Sequence, residues 1–230
     1  MNFQEGEVLL FDKPLYWTSF DLVNKIRIML RSTLGIKKIK VGHAGTLDPL
    51  ATGLMIICTG KFTKRIDEFG HLDKEYIATI HLGETTPSFD LETEPDGKYP
   101  IDHITLEKVQ EVLIDFLGEK EQLPPMYSAK YIEGKRAYEF ARRGVDKKLE
   151  PVSVNLRDIE LIGFMLPDVK LRLLCSKGTY IRSFARDFGK ALGSGAYLAA
   201  LQRSSIGPYG LKESWNVEKF QLFLQQMQQT

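Results

Sequence analysis

One uninterrupted segment, Gly42–Gly53, constrains the fold of this chain more than any other part of the sequence. It reads Gly-His-Ala-Gly-Thr-Leu-Asp-Pro-Leu-Ala-Thr-Gly and runs directly into the apolar stretch Leu54–Cys58. Its glycines permit a positive φ and let another segment approach the backbone closely, and Pro49 favours an extended conformation at the residue before it. The sequence therefore predicts a shaped loop that leads into a buried strand.

Asp48 carries the only formal charge between Val41 and Gly60. A carboxylate beside a core strand needs a partner, because burial without one is costly and raises its pKa. Asp48 is therefore either a paired structural acid or a working one. From the residues alone, the turn chemistry of an Asp-Pro pair in a glycine-rich loop is the commoner explanation, and catalysis is the alternative.

The whole run of residues 42–53 resembles the signature of the TruB family of tRNA pseudouridine synthases. This resemblance implies that Asp48 is the catalytic residue and that His43 lies where the target nucleotide leaves its stack. A second block, Lys13–Ser19, resembles the family pattern Lys-Pro-x-Gly-x-Thr-Ser and places Lys13 among the RNA-binding residues. Tyr16 stands at the glycine of that pattern, so a positive φ there would carry a steric penalty.

The segment Lys74–Leu82 alternates in a way that predicts a strand, with Tyr76, Ala78, Ile80 and Leu82 on one face. A buried tyrosine usually contributes packing and one satisfied hydroxyl group. The family resemblance instead implies that Tyr76 lies against the target base. We therefore count it with the catalytic residues.

Arg182 is expected on the first turn of a helix that follows a glycine turn. A cation at a helix start gains nothing from the helix dipole, so it needs a specific partner. The stretch Lys177–Arg182 resembles the family motif Lys-Gly-x-Tyr-Ile-Arg. The resemblance implies that Arg182 is the counter-ion that keeps Asp48 ionised and oriented.

The segment Lys130–Lys148 is locally basic, with seven Lys or Arg residues against three acids. Tyrosines interleave with these bases, and this combination suits binding to a phosphate backbone, although a solvated surface is an equal alternative for such a patch. Blocks here and at Leu198–Gly207 also resemble family motifs. Together with the motif around Arg182, they imply five further RNA-binding or site-lining residues: Lys130, Arg142, Arg143, Tyr180 and Leu201.

Strand and helix patterns alternate without a regular βαβ period, which indicates an α+β fold around a mixed, mostly antiparallel sheet. The resemblance implies the pseudouridine synthase fold, with helices flanking the sheet and a central active-site cleft. We expect a catalytic domain over residues 1–210, then a short docking helix and tail over residues 211–230, without the PUA domain of many family members. The other expected elements are a strand at 8–11, a turn at 12–14, a short helix at 60–69, a surface excursion at 83–99, a basic helix at 134–144, a hairpin of strands 153–165 and 169–175, and a C-terminal helix after Ser214. Two longer helices are also expected. One has its N-cap at Thr18 or Ser19, ends at Gly35 and places on one face Leu22, Val23, Ile26, Met29 and Leu30. The other runs from Thr105 to Gly118 and points inward Leu106, Val109, Val112, Leu113, Phe116 and Leu117.

The 230 residues carry a formal net charge of only +1, so no strong overall field marks the chain for nucleic acid. Cys58 and Cys175 lie in apolar stretches, as buried thiols of a reducing compartment do. The sequence contains no signal peptide, membrane-spanning stretch, metal-ligand spacing or nucleotide-binding fingerprint. We therefore expect a cytoplasmic, monomeric protein that uses no cofactor or metal and contacts no membrane.

The resemblance to the TruB family implies an enzyme that isomerises uridine to pseudouridine at position 55 in the T-loop of tRNA. In this interpretation tRNA is the partner, bound through its T-arm. Two alternatives stay open: a non-catalytic module that binds or folds tRNA, and a pseudouridine synthase that acts on another RNA. The presence of Asp48, Tyr76 and Arg182 together favours an enzyme over the non-catalytic module.

Overall fold

The computed structural model describes residues 1–35, 37–128, 130–132, 134–145, 147 and 149–228. The chain divides into two compact units: unit 1 comprises Met1–Tyr76 and Leu201–Thr230, and unit 2 comprises Ile77–Ala200. Both sides of the expected boundary at residue 210 fall within unit 1. The division into a catalytic domain and a short tail stays a prediction.

The helices and strands have the following bounds. The strands are β1 (Val8–Lys13), β2 (Val41–His43), β3 (Ala51–Thr59), β4 (Lys74–Leu82), β5 (Glu84–Thr85), β6 (Gly97–Lys98), β7 (Gly118–Gln122), β8 (Tyr131–Ile132), β9 (Lys135–Arg136), β10 (Val152–Met165), β11 (Asp168–Cys175), β12 (Ala196–Ile206) and β13 (Tyr209–Gly210). The α-helices are α1 (Ser19–Leu34), α2 (Ile66–Gly70), α3 (Leu106–Asp115), α4 (Ala137–Ala141), α5 (Ile181–Ala191) and α6 (Val217–Met227), and 3-10 turns cover Gly60–Arg65 and Leu211–Glu213. Within the described chain, no helix combines the length and the apolar character needed to cross a membrane.

Unit 1 is built on the apolar strand β3. This strand is antiparallel to β1 and β2 and parallel to β12. All of its residues except Thr52 are buried, because the strand has neighbours on both edges and apolar cover. Helix α6 packs against α1, and its Phe220 ring meets Phe11 of β1 edge to face at 5.0 Å. The buried strand predicted after the glycine-rich loop is confirmed.

Helix α1 begins and ends where the sequence predicts. Thr18 and Asp21 form a reciprocal capping box, in which each side chain accepts a backbone hydrogen bond from the other residue. Gly35 ends the helix in the left-handed conformation, with φ of 65°. The predicted apolar face is buried at all of its positions: Leu22, Val23, Ile26, Met29 and Leu30.

Unit 2 contains strands in the order β4, β11, β10, β7, and β10 is antiparallel to both β11 and β7. The hairpin predicted around residues 166–168 is confirmed as β10 and β11. Helix α5 contributes the stacked rings of Phe184 and Phe188, and Phe116 meets Phe184 edge to face. Helix α3 thus packs against α5 through Phe116, and it also contacts β10.

Several expected bounds differ from the structure. Strand β1 continues through Lys13, so the turn begins later than residue 12. Helix α3 ends at Asp115, and Gly118 opens β7 instead of closing the helix; the side chains of Leu106 and Leu117, expected inside, are exposed. The basic helix is reduced to α4, because residues 135–136 pair as β9. Sequence patterns therefore predict that a helix or strand exists more reliably than they predict the residue at which it ends.

Candidate active site

Asp48 lies in the loop between β2 and β3, and its side chain is half-buried. We call residues 44–50 the Asp48 loop. On one side of the carboxylate, the Tyr16 N–H donates to the Pro49 carbonyl at 2.8 Å. On the other, the Ser19 hydroxyl accepts from the Leu47 N–H at 2.8 Å and donates to the Leu47 carbonyl at 3.0 Å. The segment between β1 and α1 therefore fixes the backbone on both sides of Asp48.

Arg203, in β12, is buried and holds the Asp48 loop from within unit 1. Its Nε donates to the Leu54 carbonyl at 2.7 Å, and its two terminal nitrogens donate to the Thr46 and Gly45 carbonyls at 3.4 Å each. A buried guanidinium needs acceptors for its donors. Here the loop and the start of β3 supply them. Arg203 belongs to the block at residues 198–207 that resembles a family motif, but the sequence indicated no such role for it.

Lys13 is fully buried at the end of β1. Its ammonium donates to the Pro14 carbonyl at 2.9 Å and to the Trp17 carbonyl at 2.6 Å. Burial lowers the pKa of Lys13 to about 8; the Asp48 carboxylate opposes this shift, and the Arg203 guanidinium adds to it. Lys13 therefore organises the turn at residues 14–17 inside unit 1. Its ammonium is enclosed by the carbonyls of this turn, and the RNA-binding role of Lys13 stays a prediction.

Replacing Lys13 with methionine should change how stability depends on pH. The pKa of Lys13 in the folded chain is about 8, below its usual value of 10.5, so between these values the unfolded chain binds more protons. The contribution of Lys13 to the free energy of unfolding therefore rises with pH above about 8, by at most about 1.4 kcal/mol per pH unit. Methionine removes this slope.

Urea unfolding of the parent and of Lys13→Met at pH values between about 8 and 9 measures the difference. This window is chosen because burial raises the pKa of the Cys58 thiol from 9.0 to about 11. Above pH 9 that thiol makes the free energy of unfolding fall with pH, which is opposite to the effect of Lys13. Parallel pH profiles for the two proteins would contradict the prediction.

Three more predicted site residues lie in unit 1. His43 ends β2, and burial lowers its pKa, which keeps the ring uncharged at neutral pH. Tyr76 is buried in β4, on the predicted face. Leu201 is half-buried in β12 and is paired with Ala51, three residues after Asp48. Unit 1 thus brings Lys13, His43, Leu201 and the Asp48 loop onto neighbouring strands around β3.

Arg182 is buried on the first turn of α5, as the sequence predicts, and in unit 2 its carboxylate partner is Asp90. Its Nε lies 3.5 Å from Asp90 Oδ2, and its Nη1 donates to the Ser88 carbonyl at 3.4 Å. Both side chains are about 95% shielded from solvent, so this is a buried ion pair whose charges depend on each other. The pairing of Arg182 with Asp48 stays a prediction.

The segment that carries Asp90 is a hydrogen-bonded turn with buried polar side chains. The Thr86 and Ser88 hydroxyls both donate to the Asp90 carbonyl, at 2.7 and 3.2 Å. Phe89 adopts a positive φ of 63°, and its carbonyl accepts from the Leu198 N–H at 2.9 Å. We expected residues 83–99 to be a surface excursion, but residues 86, 88 and 90 are buried. The hydrogen-bonded turn explains the difference, because it directs the Asp90 carboxylate and the Ser88 carbonyl toward Arg182.

Tyr180 is the residue before α5, and Gln122 at the end of β7 holds its backbone. The Tyr180 N–H donates to the Gln122 side-chain oxygen at 2.8 Å, and the Gln122 side-chain nitrogen donates to the Tyr180 carbonyl at 3.1 Å. The Ser183 hydroxyl donates to the Leu123 carbonyl at 2.7 Å. These bonds fix the start of α5 and so the position of Arg182. The sequence analysis missed Gln122, because nothing in its surroundings distinguishes it from a surface glutamine.

The predicted basic segment of unit 2 is mostly exposed. Arg142 and Arg143 are exposed, and Arg142 pairs with Glu92 at 2.9 Å. The Lys130 ammonium donates to the Glu150 carbonyl at 2.8 Å. Exposed ion pairs contribute little to stability, so Arg142 can exchange Glu92 for a phosphate. Residues 129, 133, 146 and 148, which belong to the same predicted segment, lie outside the described residues.

A second basic feature lies in unit 1. A cavity of about 280 Å³ is lined by lysines from two parts of the chain, together with Thr63 and the residues around Gly60. The lysines are Lys38, Lys40, Lys61 and Lys64. Lys61 also pairs with Glu5 at 2.6 Å on the exposed surface. Four ammonium groups around one opening suit a phosphate group.

The sequence of this chain is similar to those of known proteins of one family. Residues 31–181 match the family described as TruB family pseudouridylate synthase (N terminal domain). The chain is 58% identical over 228 residues to the tRNA pseudouridine synthase B of Phocaeicola vulgatus, covering 99% of this chain and 97% of that protein. It is 49% identical over 225 residues to the protein of the same name from Flavobacterium johnsoniae, covering 97% of this chain and 98% of that one.

Among solved structures, the chain is similar to one in the crystal structure of a Cbf5-Nop10-Gar1 complex. The TM-score is 0.71 and the identity 27%, over 98% of this chain and 57% of the solved chain. The chain thus spans little more than half the length of that protein. This likeness, with the mostly antiparallel strand pairing, confirms the predicted fold class.

Proposed function

Since this chain belongs to the TruB family of pseudouridylate synthases, we propose that it isomerises uridine to pseudouridine at position 55 in the T-loop of tRNA. The observation that carries this proposal is Asp48, a half-buried carboxylate in a loop whose backbone is fixed by Tyr16 and Arg203. The tRNA substrate follows the names of the relatives. The T-loop position follows the resemblance of residues 42–53 to the family signature.

The proposed reaction needs neither redox chemistry nor an energy source. The bond between the uracil N1 and the ribose C1′ breaks, the base turns, and a bond forms between C5 and C1′. The hydrogen on C5 then leaves as a proton, and N1 takes up a proton, so the product is an isomer of the substrate. Asp48 acts either as a nucleophile or as the base that abstracts a proton. A loop held by several backbone hydrogen bonds keeps the carboxylate oriented, which lowers the entropic cost of reaching the transition state.

Access to the glycosidic bond requires the target nucleotide to leave its stack. We assign His43 to the vacated space, where its ring can stack against the neighbouring bases. Tyr76 and Leu201 are assigned to the flipped base, as an aromatic support and an apolar lining. Arg182 is assigned as the counter-ion that orients Asp48, with Asp90 and Gln122 as the residues that position Arg182.

Basic side chains of both units are assigned to the RNA backbone. In unit 2 these are Lys130, Arg142 and Arg143, and Tyr180 is assigned as an aromatic contact to the RNA. In unit 1 they are the lysines that line the 280 Å³ cavity. Phosphate contacts release counter-ions, so affinity for tRNA should fall steeply with salt. We propose that the enzyme acts as a monomer on the T-arm, in the cytoplasm, without a metal or cofactor.

Release of tritium from C5-labelled tRNA tests the proposed function. An unmodified transcript that carries tritium at the uridine C5 positions should lose the label of one uridine per molecule, because forming the C5–C1′ bond expels that hydrogen. A matched transcript with cytidine at position 55 should release none. Measurements at one fixed, low salt concentration keep binding constant.

The alternatives give different results in the same assay. Binding of tRNA without release would overturn the enzyme proposal and leave a module that binds or folds tRNA. Release from another RNA but not from tRNA would leave a synthase with a different substrate. Release that persists in the cytidine-55 transcript would place the target at another uridine.

A further inference from the structure

Tyr16 has a backbone conformation that favours glycine. Its φ is 66°, in the left-handed region, and among the described residues only Tyr16 and Phe89 combine a positive φ with a side chain. A tyrosine in this region brings its Cβ close to the neighbouring carbonyl, which a glycine avoids. The backbone conformation at position 16 is therefore less favourable for this tyrosine than it would be for glycine.

Contacts of the tyrosine side chain inside the protein do not offset that conformational cost. It is 74% exposed. Within the described chain its ring makes no stacking contact, and its hydroxyl makes no hydrogen bond. Two more large apolar side chains of the same segment are exposed, Leu15 and Phe20, the latter at 65%. Strained residues with no internal role tend to lie at functional sites.

The position of Tyr16 links it to the reacting centre. Its N–H donates to the Pro49 carbonyl at 2.8 Å, on the residue that follows Asp48. Lys13, fully buried, fixes the same turn through the Pro14 and Trp17 carbonyls. The tyrosine ring therefore projects to solvent from a turn whose backbone is bound to the Asp48 loop.

We propose that Tyr16 is a stacking platform for an unpaired nucleobase next to the target uridine of the RNA substrate. The inference rests on the proposed function, because it needs RNA at Asp48. When the uridine leaves its stack, its neighbours lose a stacking partner and can stack on aromatic side chains instead. Stacking is tolerant of sequence, because every base has a π-face.

Helix α1, which starts three residues after Tyr16, supports an RNA occupant rather than a protein one. It carries the three cations Lys25, Arg27 and Arg31 against one acid, Asp21 in its first turn. An exposed aromatic ring followed by cations is the combination found where proteins hold single-stranded nucleic acid.

Three substitutions at one position separate the ring from the backbone. Tyr16→Phe keeps the ring, Tyr16→Ala removes it but keeps the backbone strain, and Tyr16→Gly removes both. The dissociation constant for unmodified tRNA transcript, measured by filter binding at fixed salt, should rise roughly 5- to 150-fold for the alanine and glycine variants, which is the cost of one lost base–aromatic stack. It should stay within about twofold for phenylalanine. Leu222→Ala, at an exposed apolar position on α6, serves as the matched control and should bind like the parent.

A fluorescent base locates the contact. A T-arm hairpin with 2-aminopurine beside the target uridine should be quenched on binding to parent and to Tyr16→Phe, and less by Tyr16→Ala. Tyr16→Gly should melt at a higher temperature than Tyr16→Ala while binding RNA equally weakly, because stability follows the backbone and affinity follows the ring.

The outcomes distinguish this inference from the proposed function. Parent-like affinity and quenching in Tyr16→Ala, with tritium release intact, would overturn the stacking role alone. Weakened binding in Tyr16→Ala without tritium release by the parent would support the stacking role and overturn the enzyme. A parent that binds neither tRNA nor the hairpin would overturn both.

Discussion

Replacing Asp48 with asparagine should reduce the rate of tritium release from C5-labelled tRNA by at least about 10²–10⁴-fold, the range expected when a catalytic proton-transfer group is removed. Asparagine has nearly the same shape but is neither a nucleophile nor a base at neutral pH. The backbone bonds of the Asp48 loop come from Tyr16, Ser19 and Arg203, and none of them uses the carboxylate. The loop should therefore keep its conformation while the chemistry is lost.

The measurement is a single-turnover rate at saturating protein, with the dissociation constant for tRNA and the melting temperature measured in parallel. Asp115→Asn makes the same chemical change at an exposed position on α3 and should leave the rate unchanged. Residual activity within tenfold of the parent would show that Asp48 is a structural acid of the turn. A large loss of binding or stability in Asp48→Asn would assign the carboxylate to folding, which is the alternative that the sequence alone left open.

The sequence predicted the elements whose signals are local. The apolar run of β3, the N-cap and glycine end of α1 and the alternation that buries Tyr76 are each read from residues close together in the sequence. The Asp48 loop was predicted in the same way, from glycines and a proline in one segment. Such local patterns are reliable because the conformation that the backbone and the nearest side chains prefer usually agrees with the final fold.

The contacts that hold the site together were not predictable in the same way. Arg203 binds carbonyls about 150 residues away in the chain, and Asp90 lies 92 positions before its partner Arg182. Lys13 is buried although lysine is usually exposed. Its ammonium is stabilised by hydrogen bonds to carbonyls of the turn that follows it. A sequence with no alignment contains no signal that pairs such distant residues, so the residues that position the site had to come from the structure.

Replacing Gly53 with alanine should strongly destabilise unit 1. Gly53 lies in β3 between two strands, paired with Lys13 of β1 and with Arg203 of β12. Its φ is 108°, and a Cβ built there would come within 2.6 Å of the Arg203 backbone nitrogen and closer still to the Arg203 carbonyl oxygen. Backbone atoms of a central strand cannot move aside cheaply, so the free energy of unfolding should fall by about 3 kcal/mol or more.

Gly35→Ala provides the matched control. It also has a positive φ, 65°, but a Cβ there meets no atom within 4 Å, so it should cost only about 1 kcal/mol, the price of the left-handed conformation for a side chain. Urea unfolding of both variants measures the difference, and equal losses would show that close strand approach at Gly53 is not required.

The consequence for function follows from the same contact. A methyl group at position 53 pushes on the backbone of Arg203, whose guanidinium holds the carbonyls of Gly45 and Thr46 in the Asp48 loop. Gly53→Ala should therefore lose activity beyond its loss of folded protein, even where circular dichroism shows the chain still folded. Gly35→Ala, at the far end of α1, should lose activity only in proportion to its unfolded fraction. Full activity per folded molecule in Gly53→Ala would show that the Asp48 loop keeps its shape without the Arg203 contacts.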